Sequence, residues 1–215
     1  MFSFDFCQAD ESSSPTENLG QVVFGERIRP SPYKIIFGQN TECKVACTKK
    51  YTASNTDDQK KIALLRKGMF MNYQHHWIVD NMPVTWCYPV ENGQHYCSTG
   101  FPMGCYVDKK GNPKDACVIS RDFSSADSYY VFNHVDIIVH YHEGSGEDWG
   151  KYLNGVGVNG GRIVSVKIQP RSIDQDPEKI KNGQCVNDVS RPPLAIKGEG
   201  NIDAQISYTY TLTFK

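Results

Sequence analysis

The sequence predicts a mainly β domain: an antiparallel β-sandwich with one short helix and long loops, stabilised by disulfide bonds. Three observations carry this prediction: segments of strictly alternating polarity, connections rich in glycine and proline, and eight cysteines. The chain has 215 residues, which fits one domain that can bury roughly 70% of its unfolded surface. A core of ordinary size is therefore expected.

The clearest predicted strand lies at the end of the chain, where apolar and polar residues alternate over residues 203–214. A period of two places one face in the core and the other in water. The same pattern recurs over residues 134–142 and over residues 162–168, where Val164, Val166 and Ile168 are expected on one face. Weaker strands are predicted at residues 21–28, 33–37, 77–79, 84–88 and 129–132. Half-buried strands separated by turns are typical of antiparallel sheets.

One helix is predicted to begin near residue 56. Thr56 and Gln59 have the spacing of a capping box, and an apolar stripe follows at helical spacing, formed by Ile62, Leu65 and Met69. A basic amphipathic helix of this kind could lie on a membrane. The narrow stripe and the neighbouring strands favour packing against the sheet instead.

Two long irregular stretches are predicted, residues 144–161 with seven glycines and residues 171–200 with three prolines. Neither reads as a linker, because the strands on both sides need each other. Residues 1–215 are therefore expected to form one domain. Residues 1–16 are expected to be a flexible N-terminal segment.

The eight cysteines indicate an oxidising compartment and a disulfide framework. No Cys-x2-Cys pair of the kind that holds zinc occurs. Cys87 and Cys97 flank a short turn symmetrically, and so do Cys105 and Cys117, which predicts these two disulfides. The other four are left to pair among themselves: Cys7, Cys43, Cys47 and Cys185.

Composition and motifs argue against several functions. A net charge of −1 without a basic cluster excludes the field that nucleic-acid binding needs. Residues 155–160 match a dinucleotide fingerprint, which requires a buried parallel strand before it and a helix after it. Here the sequence predicts a half-buried strand before these residues and a β-rich segment after them. No nucleophile elbow or His-Glu-x-x-His motif is present. We expect no enzymatic activity, no metal and no nucleotide or other small-molecule cofactor.

One face of the strand at residues 134–142 collects His134, Asp136, His140 and His142 at even positions. Residues two apart on a strand are neighbours on one face. Three interpretations stay open: a solvated face, a metal site, and a face that senses pH, because histidine ionises in the pH range through which a lumen acidifies.

A second candidate site is aromatic. Trp77, Trp86 and Tyr88 lie in a short stretch and could form a recognition surface if they are exposed. The alternative is that they belong to the core.

Five segments carry a resemblance to a known family: residues 4–8, 17–33, 72–88, 132–137 with 141–142, and 207–210. The aromatic and histidine-rich run at residues 72–88 is the most specific. In these segments the chain resembles the luminal domain of the transmembrane-nine superfamily, the nonaspanins. The glycine-rich stretch after His142 is longer than the family pattern, which affects a surface loop.

The resemblance implies a luminal domain of a multi-pass membrane protein in the Golgi and endosomes. It implies a non-enzymatic role in the trafficking, sorting and surface localisation of other membrane proteins. The partners would be its own nine-helix membrane region and cargo membrane proteins, with no nucleic acid. The alternative is a luminal or secreted carbohydrate-binding, lectin-like β-sandwich. The identity of the cargo and the oligomeric state do not follow from the sequence.

Overall fold

The computed structural model describes residues 4–10, 19–23, 28–89, 93–114, 117, 119–144, 161–188 and 190–215. Within these ranges the strands are β1 Thr41–Tyr51, β2 Gln74–His75, β3 Ile78–Val79, β4 Met82–Pro89, β5 His95–Thr99, β6 Phe101–Pro102, β7 Gly104–Val107, β8 Ser128–Val131, β9 His134–Glu143, β10 Gly161–Arg171, β11 Ala195–Lys197 and β12 Ala204–Phe214. The helices are α1 Leu19–Val23, α2 Thr56–Phe70 and α3 Pro177–Lys181, with a 3-10 turn at Arg121–Phe123.

The described strands form one seven-stranded main sheet and two small sheets. The main sheet has the order β1-β12-β9-β10-β4-β3, with β5 beside β4. β11, β8 and β7 form a three-stranded sheet, and β2 pairs with β6. Most pairings are antiparallel, which confirms the predicted fold class. Two are parallel, β12 with β9 and β10 with β4, because the chain makes long crossovers before returning to the same sheet.

Most predicted strands are confirmed, at β12, β9, β10, β3, β4 and β8. The strand predicted at residues 21–28 is wrong, since residues 19–23 are helical and residues 24–27 lie outside the described ranges. The strand predicted at residues 33–37 is also wrong. There the Tyr210 hydroxyl donates to the Lys34 carbonyl at 3.1 Å, and the Lys34 amide donates back to it. A side chain thus replaces the strand ladder.

The sequence pattern missed β1, an edge strand of eleven residues. Its pairing with β12 shifts register between Thr41 and Lys44 and again between Val45 and Cys47. Each bulge adds a residue and changes the phase of the alternation, so no period of two is visible in the sequence.

A similar bulge in β10 changes which side chains of that strand face the core. The register between β10 and β9 shifts between Ile163 and Ser165. Val164 is 53% exposed, whereas Ile163 packs against the core beside Val166 and Ile168. The expectation that Val164 shares their face is therefore wrong, because the bulge moves it to the surface.

Two apolar clusters form most of the core. One packs residues of β4, β9, β10 and β12 together, including Ile137, Val139 and Leu212. The other packs α2 against β1, β8, β11 and β12, and it buries Ile62 and Leu65 as the helical stripe predicts.

The start of α2 differs from the predicted capping box. The cap is Asn55, whose Oδ1 accepts from the Asp57 amide at 3.0 Å. Gln59 instead binds the backbone of Ile202, accepting from its amide at 3.1 Å and donating to its carbonyl at 2.9 Å. The helix is thereby tied to the segment that leads into β12.

Four disulfides link the chain. Cys87–Cys97 and Cys105–Cys117 form as predicted, and the remaining cysteines pair as Cys7–Cys47 and Cys43–Cys185. Cys47 lies opposite Tyr208 and packs with the α2 cluster, while Cys43 lies beside the other face of the sheet. The bulge between them explains why two cysteines four residues apart serve opposite faces.

The N-terminal segment is not uniformly flexible. The Cys7–Cys47 disulfide and a 2.8 Å ion pair between Asp5 and Lys49 hold it against β1. Phe4 and Phe6 pack against the α2 cluster. The predicted flexibility is therefore wrong for residues 4–7, and residues 1–3 and 11–16 lie outside the described ranges.

Candidate functional site

One face of the main sheet forms the floor of an open groove of about 1020 Å³, which we call the polar groove. Its floor includes Asp136 on β9, Arg171 on β10, and Thr211 and Thr213 on β12. α3 and the segment that follows it form a wall that includes Cys185. The floor is polar because β12 alternates Thr209, Thr211 and Thr213 with the core residues Tyr208, Tyr210 and Leu212.

The wall is fastened at three points. The Cys43–Cys185 disulfide joins it to β1. The Gln175 side chain accepts from the Val186 amide at 3.1 Å and donates to the Val186 carbonyl at 2.8 Å. Asp176 caps α3 by accepting from the Glu178 amide at 3.0 Å. The groove therefore has a fixed shape despite its irregular wall.

Asp136 is the centre of the groove floor. Its carboxylate accepts from Arg171 Nε at 2.8 Å, from Asn187 Nδ2 at 2.7 Å and from the Thr211 hydroxyl, and His134 Nε2 lies 3.3 Å away. Burial opposes ionisation of Asp136, but the hydrogen bonds of His134 and Thr211 and the charge of Arg171 outweigh it. The pKa of Asp136 is consequently lowered.

The four residues predicted to share a histidine-rich face have different surroundings. His134 is 0% exposed, and its Nδ1 lies 2.8 Å from the Thr209 hydroxyl. Asp136 and His140 are half-buried, and His142 is exposed. The interpretation of His134 as part of a solvated face is therefore wrong.

Residues 172–188 follow β10, and we call them the covering segment because they contact Asn133 and Asp136 at the start of β9. The Asn133 side chain, next to His134, donates to the Ile173 carbonyl and accepts from the Ile173 amide, both at 2.9 Å. This pair of bonds docks the segment beside the start of β9. Because the contact spans 40 residues of sequence, the alternation within β9 could not reveal it.

The metal interpretation gains no support. Within the described ranges no three His, Cys, Asp or Glu side chains come together as a metal site. The expectation that the domain holds no metal stays a prediction. The glycine-rich fingerprint at residues 155–160 lies outside the described ranges.

The aromatic candidates pack mainly against other rings. Trp86 is 3% exposed in the core, so its interpretation as a surface recognition residue is wrong. Trp77 and Tyr88 are half-buried. The Trp77 ring centroid lies 4.6 Å from that of Tyr33 and 4.9 Å from that of Phe101.

Sequence reasoning missed His75 as a perturbed group. Its ring packs 4.6 Å from Phe6 and 5.0 Å from Phe101, and the neighbouring His76 is exposed. Burial, and secondarily repulsion by His76, lowers the pKa of His75 to about 4. The only sequence signal was that two adjacent residues on a strand point to opposite faces.

Four disulfides on a mainly β scaffold define the class of protein as a domain that fits the luminal or extracellular side of the secretory pathway. A family model described as Endomembrane protein 70 matches residues 1–215. The chain therefore belongs to this family, the transmembrane-nine superfamily, and the resemblance carried by its sequence segments is confirmed.

Several members of that superfamily align with almost the whole chain. Transmembrane 9 superfamily member 2 of Homo sapiens is 48% identical over 213 residues, and that of Mus musculus is 47% identical, each covering 99% of this chain and 30% of the relative. Transmembrane 9 superfamily member 1 of Saccharomyces cerevisiae is 30% identical over 229 residues, covering 98% of this chain and 30% of the relative.

The chain thus spans about 30% of the length of these relatives. No solved structure matches it. Within the described ranges no helix is long and apolar enough to cross a membrane.

Proposed function

We propose that the chain is a non-enzymatic luminal recognition and support domain of a nonaspanin in the Golgi and endosomes. It would act in the trafficking, sorting and surface localisation of other membrane proteins. The observation that carries the proposal is the 48% identity, over 99% of the chain, with a protein named as a transmembrane 9 superfamily member. The names of the relatives are not enzyme names.

The polar groove is the surface best suited to cargo. Its floor is rigid because Asp136 holds Arg171, Thr211 and Asn187 in one hydrogen-bond network. Its rim adds the exposed charged side chains of Glu42 and Lys179. Fixed donors and acceptors with both signs of charge suit a polar luminal segment of another protein, since such groups give an interface its specificity.

A second surface is suited to the protein's own membrane region. Phe214, Val139, Val166 and Val84 form one row across β12, β9, β10 and β4. Beyond this row lies an edge that we call the Lys215 end, where Lys215 exchanges backbone hydrogen bonds with β9.

The Lys215 end carries apolar side chains at the surface. Val164 is exposed there, and Phe37 forms ring contacts with Tyr141 and Phe214 at 5.3 and 5.5 Å. Ile36, next to Phe37, is also exposed. Exposed apolar side chains gathered at one edge are typical of a surface that meets a protein or a membrane.

His140 and His142 lie at the same end. The hypothesis of a pH-sensitive face now concerns these two residues. Histidine is the residue type that ionises in the range through which a lumen acidifies. We propose that charge on these two residues changes partner preference between Golgi and endosome. NMR titration of their rings, together with partner binding at pH 7.5 and 5, tests this. Binding that ignores pH contradicts it.

The cargo role is tested in the full-length protein, expressed in cells that lack their own copy. Lys179→Glu reverses a charge in the polar groove, and Lys197→Glu makes the same change on β11 outside it; both lysines are exposed. Surface biotinylation with mass spectrometry measures the membrane proteins that reach the cell surface. We expect K179E to reduce a defined subset and K197E to leave it unchanged.

Two outcomes of this experiment contradict the proposal. One is an equal effect of both charge reversals. The other is an unchanged surface proteome when the whole domain is deleted while the membrane region is still made and retained in the Golgi and endosomes.

Contact with the membrane region has its own test. The double variant Ile36→Glu with Val164→Glu places charge at the Lys215 end, and Met71→Glu does so after α2 at matched exposure, 55% against 54% for Ile36. Limited proteolysis of the full-length protein in membranes should accelerate for the double variant only. Equal rates for both contradict the contact.

A further inference from the structure

A second pocket, smaller and more enclosed than the polar groove, lies beyond the end of β10. Its volume is about 240 Å³. Phe132, Ile173 and Trp86 supply apolar walls, and Arg171 and Arg191 supply charge. We call it the arginine pocket. It shares only Gln169 and Arg171 with the lining of the polar groove, and no function proposed above uses it.

Trp86, whose side chain lines the arginine pocket, carries a buried donor without a partner. Trp86 is 3% exposed, and its indole Nε1 has no acceptor among the residues that the structure describes. Nearly all buried N–H groups in folded proteins are hydrogen-bonded, and leaving one unpaired is unfavourable. The NMR signal of this N–H reports on changes around the wall that Trp86 supplies.

The charges around the arginine pocket favour an anion. Arg171 binds Asp136 through Nε at 2.8 Å, so its charge is already partly compensated. Arg191 is half-buried and forms no ion pair within 4 Å to any described carboxylate. Asp188 also lines the pocket, but it is exposed and accepts from the Ser190 amide and hydroxyl at 2.9 and 2.8 Å. Arg191 therefore retains unpaired donors.

We propose that the arginine pocket binds a small carboxylic acid with an apolar body about the size of a phenyl group. The guanidinium of Arg191 would bind the carboxylate, since its fork of N–H donors matches two carboxylate oxygens. Phe132, Ile173 and the Trp86 ring would contact its apolar body. At about 240 Å³ the pocket is below the size that encloses a drug-sized molecule.

A carboxylate attached to an apolar group occurs in two kinds of ligand. One is a free small acid, and the other is the C-terminal residue of a peptide with an apolar side chain. Phenylacetate represents the first and N-acetyl-L-phenylalanine the second. N-acetyl-L-phenylalaninamide is the matched uncharged control, because it keeps the ring and loses the carboxylate.

The indole N–H of Trp86 reports binding, because the Trp86 side chain lines the pocket. The chain has three tryptophans, so three indole signals are expected in a nitrogen-15 NMR spectrum, and single Phe substitutions of Trp77 and Trp149 assign the third to Trp86. We expect at least one acid to shift the Trp86 signal with a Kd on the order of 1 mM, as suits a ligand of so few atoms. We expect the amide to bind at least about tenfold more weakly.

Two variants complete the test. Arg191→Gln removes the unpaired guanidinium, and Lys167→Gln removes one positive charge from an exposed position on β10 outside the pocket. Affinity should fall about tenfold or more in R191Q and stay unchanged in K167Q, with native spectra in both. No shift of the Trp86 signal with either acid at 10-fold the expected Kd would overturn the proposal. So would equal binding of acid and amide, or equal affinity in R191Q and the parent protein.

Discussion

The two halves of β9 present the same kinds of residue on the same face but have different surroundings. At the start of the strand, His134 is fully buried and Asp136 is held by several donors. At the end, His140 is half-buried and His142 is exposed. The strand geometry is continuous, so the cause lies outside it. The covering segment, remote in sequence, contacts only the first half. The comparison shows that contacts from outside a strand can determine whether its polar face is exposed to solvent.

The cover also changes what the residues can do. Under it, polar side chains must satisfy one another, because a buried group without a partner is unfavourable. Asp136 therefore binds Arg171, Thr211 and Asn187 and becomes part of the scaffold. Beyond it, His140 and His142 remain accessible to solvent and to partners.

The largest expected effect comes from releasing the cover. Cys43→Ser with Cys185→Ser opens a disulfide whose cysteines are 142 residues apart, and Cys87→Ser with Cys97→Ser opens one with a separation of 10. By the entropy of loop closure the first should cost about 5 kcal/mol and the second about 3 kcal/mol. Urea unfolding without reductant measures both.

The same pair of variants sharpens the comparison within β9. Hydrogen exchange at the Ile173 amide, which donates to the Asn133 side chain, should accelerate only when Cys43 and Cys185 are replaced. Unchanged protection of that amide would mean that the disulfide does not hold the cover in place.

The next effect is expected at the centre of the covered half. Asp136→Asn keeps the shape but removes the charge that pairs with Arg171, and the loss of hydrogen bonds to a charged, half-buried group should cost about 1.5–3 kcal/mol. Asp174→Asn, at an exposed position in the covering segment, should cost less than about 0.5 kcal/mol. Equal midpoints in urea would contradict a structural role for Asp136.

The acid response of the domain is expected at a histidine that lies outside β9. The pKa of His75 is lowered to about 4, below the unfolded value near 6.5. Between these values the unfolded state binds more protons, so stability falls as pH falls, by about 2 kcal/mol at pH 5. His75→Phe, which retains a ring beside Phe6 and Phe101, should flatten this slope between pH 7 and 5. An identical slope in both proteins would assign the response elsewhere.

The smallest effect is expected at the open end of β9. His142→Gln should change the free energy of unfolding by less than about 0.5 kcal/mol because the residue is exposed. His134→Gln disturbs bonds to Thr209 and Asp136 at a fully buried position and should cost about 1–3 kcal/mol. Similar losses at the two positions would remove the distinction between the halves.

Strand positions were largely predictable because alternation in β9 and β12 reflects a buried and a polar face. Two kinds of feature were not. Bulges in β1 and β10 interrupt the alternation, and nothing in a single sequence marks where the extra residue lies. Side chains that replace backbone pairing, such as Tyr210 at Lys34, depend on contacts 176 residues apart.

The candidate site shows the same division. The polar face of β9 was predicted, but the docking of the covering segment was not, because Ile173 and Cys185 lie in a stretch without periodic pattern. The hairpin disulfides Cys87–Cys97 and Cys105–Cys117 were predicted because each spans a short turn. The arginine pocket was not, since Arg171 and Arg191 carry no local signal of convergence.

The position of β12 has a consequence for synthesis of the protein. Among the described strands, β12 lies between β1 and β9 in the main sheet, so β1 lacks its described neighbour there until residues 204–214 have been made. Cys43, on β1, likewise cannot meet Cys185 until residue 185 has been made. Assembly of the main sheet must therefore wait for β12, and Cys43 stays a free thiol until its partner cysteine has been made. A nascent chain arrested before Cys185 should expose Cys43 to alkylation, and extension beyond Cys185 and β12 should protect it.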